Sequence, residues 1–417
     1  MESNTILYKP LGDVIELLTD YHANGAYEKL KENVTLLDKE NHAVMIRTTN
    51  FEANDFTNNL IYIDEHAYEF LKKSKVYASD LIMNKIANPG TVYFMPEISK
   101  PVSLGMNLFL IRVNPKKANP YFIYAYLRKN EHYVKSFASG STTKTITKDD
   151  VRRLKIFMPP LQEQNKTAQI LSTWDQAISA TEKLLENSQQ QKKALMQQLL
   201  TGKKRLLDEN GVKFSNEWAT KNLESLVYRP LCYGVLKPGE DVLDGHPLIR
   251  IQDIDDRGFI DIRKVIRITD ELHYEFRRTI LNTNDLIISI VGTLGKVFVI
   301  PKELNGANIT RAFAVIGADC KLIDTRFIYQ YLNSSMIQEW LLNTATGNAQ
   351  KVLNIAALKE LQIPLPIIEE QRRIAEVLFV ADQEIETIQK KLDCLKQEKK
   401  ALMQQLLTGK KRVKVAA

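Results

Sequence analysis

Residues Lys192 to Arg205 read KKALMQQLLTGKKR, and residues Lys399 to Arg412 read the same fourteen letters. The second copy starts 207 positions after the first (399 minus 192), and the same offset pairs Pro159 with Pro366, Glu163-Gln164 with Glu370-Gln371, Asp175-Gln176 with Asp382-Gln383, and Ile178 with Ile385. A fold compatible with this chain must therefore accommodate one unit twice. The repeated part is nearly invariant while the rest has drifted, which implies one task performed identically at two places and another performed differently at each.

A chain of 417 residues exceeds what one hydrophobic core usually serves, and two halves of about 200 residues each suffice for a core of their own. The formal net charge of +7 permits contact with phosphates without identifying a nucleic-acid binder. Three cysteines, Cys232, Cys320 and Cys394, lie far apart and outside any C-x-x-C pair, as reduced cytosolic thiols do. The N-terminal residues lack the basic and apolar regions of a signal peptide, and no stretch approaches eighteen apolar residues. A cytoplasmic protein with no membrane partner is expected.

Each half reads as a mixed strand and helix region followed by one long helix. Asp80-Leu81-Ile82 matches Asp285-Leu286-Ile287, and Val92 to Pro96 matches Val297 to Pro301; these β-branched and aromatic runs, bounded by Gly, Asn and Pro, predict strands with turns. Phe122 to Leu127 matches Phe327 to Leu332 and predicts helix from its three and four spacing. In the first long helix Thr167, Leu171, Trp174, Ile178, Thr181, Leu185, Ser188, Lys192, Leu195 and Leu199 form an a/d ladder. Ile374, Leu378, Ala381, Ile385, Ile388, Leu392, Leu395, Lys399, Leu402 and Leu406 repeat it in the second. Both helices follow prolines and close at Thr-Gly, where Gly202 and Gly409 suit a left-handed C-cap.

These features predict an α/β (mixed α+β) protein with an internal pseudo-two-fold repeat: two globular regions separated by two long antiparallel helices that form a coiled coil. The expected segments are a first globular region over 1–158, a helix over 159–208, a second globular region over 209–365 and a C-terminal helix over 366–417. Lys192 and Lys399 lie on the apolar seam, and as a matched polar pair they are expected to fix its register. The clusters Lys203-Lys204-Arg205 and Lys410-Lys411-Arg412 are read as complements to a helix C-terminus rather than as a grip on DNA.

The order G-x-x-x-K, an apolar residue, L-x-I-x-x-P and E-Q-x-x-I-A at a helix start resembles the specificity subunits of type I restriction-modification enzymes. The second half carries Gly347 to Lys351, Leu353, Leu361 to Pro366 and Glu370 to Ala375; the first carries Gly140 to Lys144, Ile146, Leu154 to Pro159 and Glu163-Gln164. The resemblance covers essentially the whole chain. It implies two target-recognition domains that read the halves of a split, asymmetric sequence in double-stranded DNA. It further implies helices that hold two methyltransferase (modification) subunits, with motor-nuclease (restriction) subunits added for cleavage. The first half departs from the pattern: it lacks the lead-in Phe214 to Trp218, has Asn88-Pro89-Gly90 where the second has Gly292 to Gly295, and has Asn165 to Ala168 in place of x-x-I-A.

No catalytic constellation is legible. Met158-Pro159-Pro160-Leu161 lacks the flanking groups of an adenine methyltransferase tetrad, and Gly292 to Val297 is too short for a phosphate loop and reads as a turn. No Pro-Asp dipeptide exists, and the six histidines show no metal-ligand spacing. The expectation is a non-catalytic reader that binds no cofactor itself; S-adenosylmethionine, ATP and Mg would belong to partner subunits. The alternatives are a two-headed coiled-coil scaffold for proteins and a self-sufficient DNA-modifying enzyme.

Candidate DNA contacts are Arg47 and Asn50 in the first half, and Arg250, Gln252 and Asp253 at the matching place in the second. These residue types carry the donors and acceptors for base edges, but each Arg could instead pair with a nearby carboxylate. Lys144, Lys296 and Lys351 are candidate phosphate contacts in Gly-containing loops.

Overall fold

The computed structural model describes residues 8–255, 258, 260–347 and 351–414. The chain forms two compact units, Met1–Glu182 with Lys391–Ala417, and Lys183–Lys390. The units do not follow the repeat boundaries, because each takes its globular region together with part of both long helices.

In the first unit, strand Leu108–Val113 lies between Ile15–Asp20 and Leu81–Asn84, and Val92–Phe94 closes that four-stranded antiparallel sheet. Its sequence LFLIRV is buried at every position except Arg112, as expected for a central strand covered on both faces. A second sheet has the order Tyr62–Ile63, Ala43–Ile46, Val102–Leu104, Lys75–Val76, and the middle two strands run parallel. Helix Pro120–Lys129 starts with Pro at its first position, where no N–H is needed, and Asn119 Oδ1 accepts from the Phe122 N–H at 3.0 Å. Its buried Phe122, Ile123 and Tyr126 join the core formed by Phe109, Ile111 and Leu171.

The second unit repeats this plan with shorter sheets. Leu286–Ser289 lies between Val297–Val299 and Phe313–Ile316, while His246–Ile249 lies between Ile266–Ile268 and Asn308–Ile309, parallel to the latter. Gly292 to Gly295 is the turn between two of these strands, with both glycines at positive φ. One ion pair has been rebuilt between the repeats. Asp80 is held by Arg112 at 2.8 and 2.7 Å in the first unit. The matching Asp285 is held by Arg229, because Gly317 replaces the arginine and a Cβ there would meet the Tyr228 ring at 2.5 Å.

The long helices are Leu161–Leu199 and Ile368–Leu406. All twenty ladder positions are buried or half-buried, so the predicted seam is the buried face. Gly202 and Gly409 have φ of 71° and 72°, and the Lys204 and Lys411 N–H groups reach back to Gln198 and Gln405 at 3.0 and 3.1 Å.

Within each unit the two helical segments run antiparallel. In the first unit Glu163, Asp175 and Glu182 meet Arg412, Lys399 and Lys396; in the second, Glu370 and Asp382 meet Arg205 and Lys192. The structure adds the partners of the two seam lysines. Lys192 and Lys399 do not pair with each other; each pairs with the aspartate of the other repeat, Asp382 at 2.5 Å and Asp175 respectively. Two ammonium groups on one seam repel, whereas opposite charges give the same register signal without that cost.

The Glu-Gln pair at each helix start also has a structural task. Gln164 Nε2 donates to the Pro159 carbonyl at 2.8 Å while its Oε1 accepts from the Asn119 N–H at 3.0 Å. Gln371 does the same with Pro366 and Asp324, both at 2.8 Å. Each glutamine thus ties a long helix to the strand before it and to the N-cap of a neighbouring helix. The glutamates receive the arginines of the repeated segment. Glu370, 0% exposed, accepts twice from Arg205 at 2.6 Å and once from Trp218 Nε1 at 3.0 Å. Glu163 accepts from Arg412 at 2.6 to 2.8 Å.

Candidate nucleic-acid interface

The predicted contact clusters follow a buried strand in each unit, and the same backbone junction surrounds both. In the first unit the Gly105 N–H donates to the Ile46 carbonyl at 2.8 Å, Lys85 N–H to Asn107 at 2.9 Å, and Ile146 N–H to Lys85 at 3.2 Å. In the second, Thr310 donates to Ile249 at 3.1 Å, Ile290 to Ala312 at 2.8 Å, and Leu353 to Ile290 at 2.9 Å. These bonds draw together the strand end bearing Arg47 or Arg250, the loop after the parallel strand, and the segment just beyond Lys144 or Lys351.

The side chains on this shared junction differ. The first unit presents Arg47, Lys85, Gly105 and Met106, where the second presents Arg250, Ile290, Thr310 and Arg311. Lys144 is exposed and without an ion pair among the described residues, as is Arg311; Lys296 is half-buried and likewise lacks an ion pair. Lys351 is exposed, and its Nζ donates to the Leu342 carbonyl at 3.3 Å. The preceding Asn348, Ala349 and Gln350 of its predicted loop lie outside the described residues.

Arg250 and Asp253 take the alternative considered for them. Asp253, 6% exposed, accepts from Arg250 Nε at 3.1 Å and Nη2 at 2.7 Å, and caps the turn through the Arg250 N–H at 2.8 Å. Asn50 is also buried; its Oδ1 accepts from the Arg47 N–H at 3.0 Å. Neither Asn50 nor Asp253 therefore offers a free edge to a ligand, while Gln252 stays exposed. A short polar residue three positions after an arginine, at a strand end, suits an N-cap as well as it suits base reading, and the cap prevails here.

Sequence reasoning missed Asp20, Lys85 and Lys148. Asp20 accepts from Lys85 at 3.2 Å and from Lys148 at 3.1 Å. Burial raises its pKa, but the hydrogen bonds and charges of Lys148 and Lys85 outweigh burial and hold it below its ordinary 3.8. A lowered carboxyl pKa contributes stability that is present above the unfolded value and lost as pH falls through the folded one. Asp20→Asn should thus flatten the fall in thermal midpoint of the first unit below about pH 4. An unaltered acid limb in calorimetry would remove Asp20 from that role.

Among the described residues no cluster of His, Cys, Asp and Glu could hold a metal ion, the cysteines are free, and no helix is long and apolar enough to cross a membrane.

The family model "Type I restriction modification DNA specificity domain" matches residues 8–189 and 247–397. The chain is 31% identical over 328 residues to the EcoBI specificity subunit of Escherichia coli, covering 74% of this chain and 68% of that one. It is 28% identical to the putative MjaX specificity subunit of Methanocaldococcus jannaschii, covering 85% and 83%. Its fold is similar to that of a type I restriction-modification S subunit from M. genitalium, with a TM-score of 0.60 at 17% identity over 98% of both chains. Two matched stretches that together span most of the sequence, on a twice-built junction with divergent side chains, place the chain in the family of type I restriction-modification specificity subunits.

Proposed function

We propose that this chain is the sequence reader of a type I restriction-modification complex, addressing one half of a split, asymmetric DNA target with each unit. The observation that carries the reading is the junction built twice with the same backbone bonds and different side chains. A reader of a palindrome would present the same residues at both. Arg47 and Lys144 in the first unit, with Gln252, Lys296 and Lys351 in the second, are the DNA contacts of this reading.

The chain does no chemistry itself in this account. Two methyltransferase subunits dock on its helices, motor-nuclease subunits join for cleavage, and S-adenosylmethionine, ATP and Mg belong to those partners. The relatives' names as specificity subunits support the assignment, and the setting is the cytoplasm.

The test is genome-wide mapping of N6-methyladenine in the host with and without the gene, then with residues 209–365 exchanged for those of a relative. One split motif should lose methylation on deletion, and the exchange should alter one half of it. An exchange that altered both halves, or neither, would overturn the assignment of one half to each unit.

A further inference from the structure

Arg47 and Arg250 occupy matching strand ends but have opposite surroundings. Arg250 is clamped by Asp253 through two side-chain hydrogen bonds, and its Nη2 also donates to the Lys264 carbonyl at 3.4 Å. Arg47 has Asn50 at the matching place, an amide that takes the backbone N–H and leaves the guanidinium alone. No ion pair or side-chain hydrogen bond holds Arg47 among the described residues, and its Nε is buried without a partner. The enclosed Nε therefore costs the fold a donor, while the two terminal nitrogens keep their hydrogen-bonding capacity for a ligand.

Arg47 lines a cavity of about 180 Å³ together with Tyr21, His22, Tyr27, Met45 and Met106. Tyr27 and Met106 are exposed at 67% and 55%. Gly105 keeps the space open, since a Cβ there would stand 2.5 Å from the Ile46 carbonyl oxygen and 3.4 Å from the Arg47 Cγ. The second unit has Thr310 at that place. The first unit thus combines a free guanidinium with an open, largely apolar recess, whereas the guanidinium of the second unit is clamped.

We infer that Arg47 is the guanine-reading residue of the first unit, that Arg250 is a structural residue of the second, and that the residue at 50 or 253 decides between these roles. The inference rests on the DNA-reading assignment above. With Nε enclosed, only the two terminal nitrogens are left to meet a ligand. Two parallel N–H groups match O6 and N7 of guanine in the major groove. A phosphate is the competing ligand, since Lys31 and His22 also line the recess, and the sequence dependence of binding separates the two.

The experiment uses the chain assembled with its methyltransferase subunits and duplexes carrying the wild-type motif, each position replaced in turn. Arg47→Ala should reduce discrimination at one G·C pair of one half-site by about 10- to 100-fold and leave the other half unchanged. Arg47→Lys, which keeps the charge but not the fork, should lose the same discrimination while retaining overall affinity. Asn50→Asp should imitate Arg47→Ala with its unfolding midpoint preserved, because the new carboxylate clamps the guanidinium. Arg250→Ala should lower the unfolding midpoint of the second unit and keep base discrimination in both halves. Uniform weakening across all sequences by Arg47→Ala would mark a phosphate contact and overturn the inference. No change at a G·C pair, or altered discrimination with Arg250→Ala, would do the same. If the wild-type complex binds no split motif, the DNA-reading assignment has failed and this inference falls with it.

Discussion

Arg205→Ala is expected to lower the unfolding midpoint of the second unit by on the order of 10 °C. Glu370 is fully buried and receives both arginine nitrogens and the Trp218 indole, and the guanidinium lies 5.5 Å over the Trp218 ring. Removing one partner of a buried pair leaves an uncompensated charge, which costs about 3–5 kcal/mol. For a unit of this size each kcal/mol moves the midpoint by about 2–4 °C. Arg412→Ala in the first unit should cost less, because Arg412 is 44% exposed beside Glu163 and no tryptophan joins that pair. Calorimetry resolving the two units is the measurement. Equal shifts for the two arginines would contradict the weight given to burial, and a shift below about 2 °C for Arg205→Ala would remove the pair from the stability of the unit. Replacing both partners with apolar residues, Arg205→Met with Glu370→Leu, should recover much of the loss.

Ending the chain after Lys390 is expected to abolish folding of the first unit while sparing the second. Leu407 is fully buried and packs in the core with Phe157 and Leu171, where Leu402 and Met403 pack at its edge. The deletion also removes Lys399 from Asp175 and Arg412 from Glu163. Each buried leucine contributes about 1.5–3 kcal/mol, so the lost contacts approach the whole of a typical stability of about 5–15 kcal/mol. The second unit is one contiguous stretch, Lys183–Lys390, and loses none of its residues. Hydrogen exchange on the shortened chain should show protection confined to that stretch, and a peptide spanning 391–414 should restore it in the first unit. Protection persisting in Leu108–Val113 without the peptide would refute the dependence.

The helices were legible in the sequence because their signals agree over many residues: prolines before, glycine after, and a ladder that places Leu171, Ile178 and Leu199 on one face. The strands at Leu81 and Leu286 and the helices at Phe122 and Phe327 were legible twice, since each repeat checks the other. The partners of Lys192 and Lys399 were not read, although Asp175 and Asp382 were already aligned by the same offset. Periodicity reports which face is buried, not which residue stands across it. The candidate site was legible only as two matching clusters. Whether an arginine is free or clamped turns on whether an amide or a carboxylate stands three positions on, and a spacing of three residues fits a cap and a base contact equally well.

The first unit is completed by residues that the ribosome makes only after the whole of the second. Residues up to Glu182 emerge early, yet the helix segment they pack against begins at Lys391. At about 5–20 residues per second, the first unit waits on the order of 10–50 s for its final segment. The second unit, finished at Lys390, completes its sequence first. Translation order and folding order are therefore reversed in this chain, and during that interval the unfinished first core is the surface on which a chaperone would act.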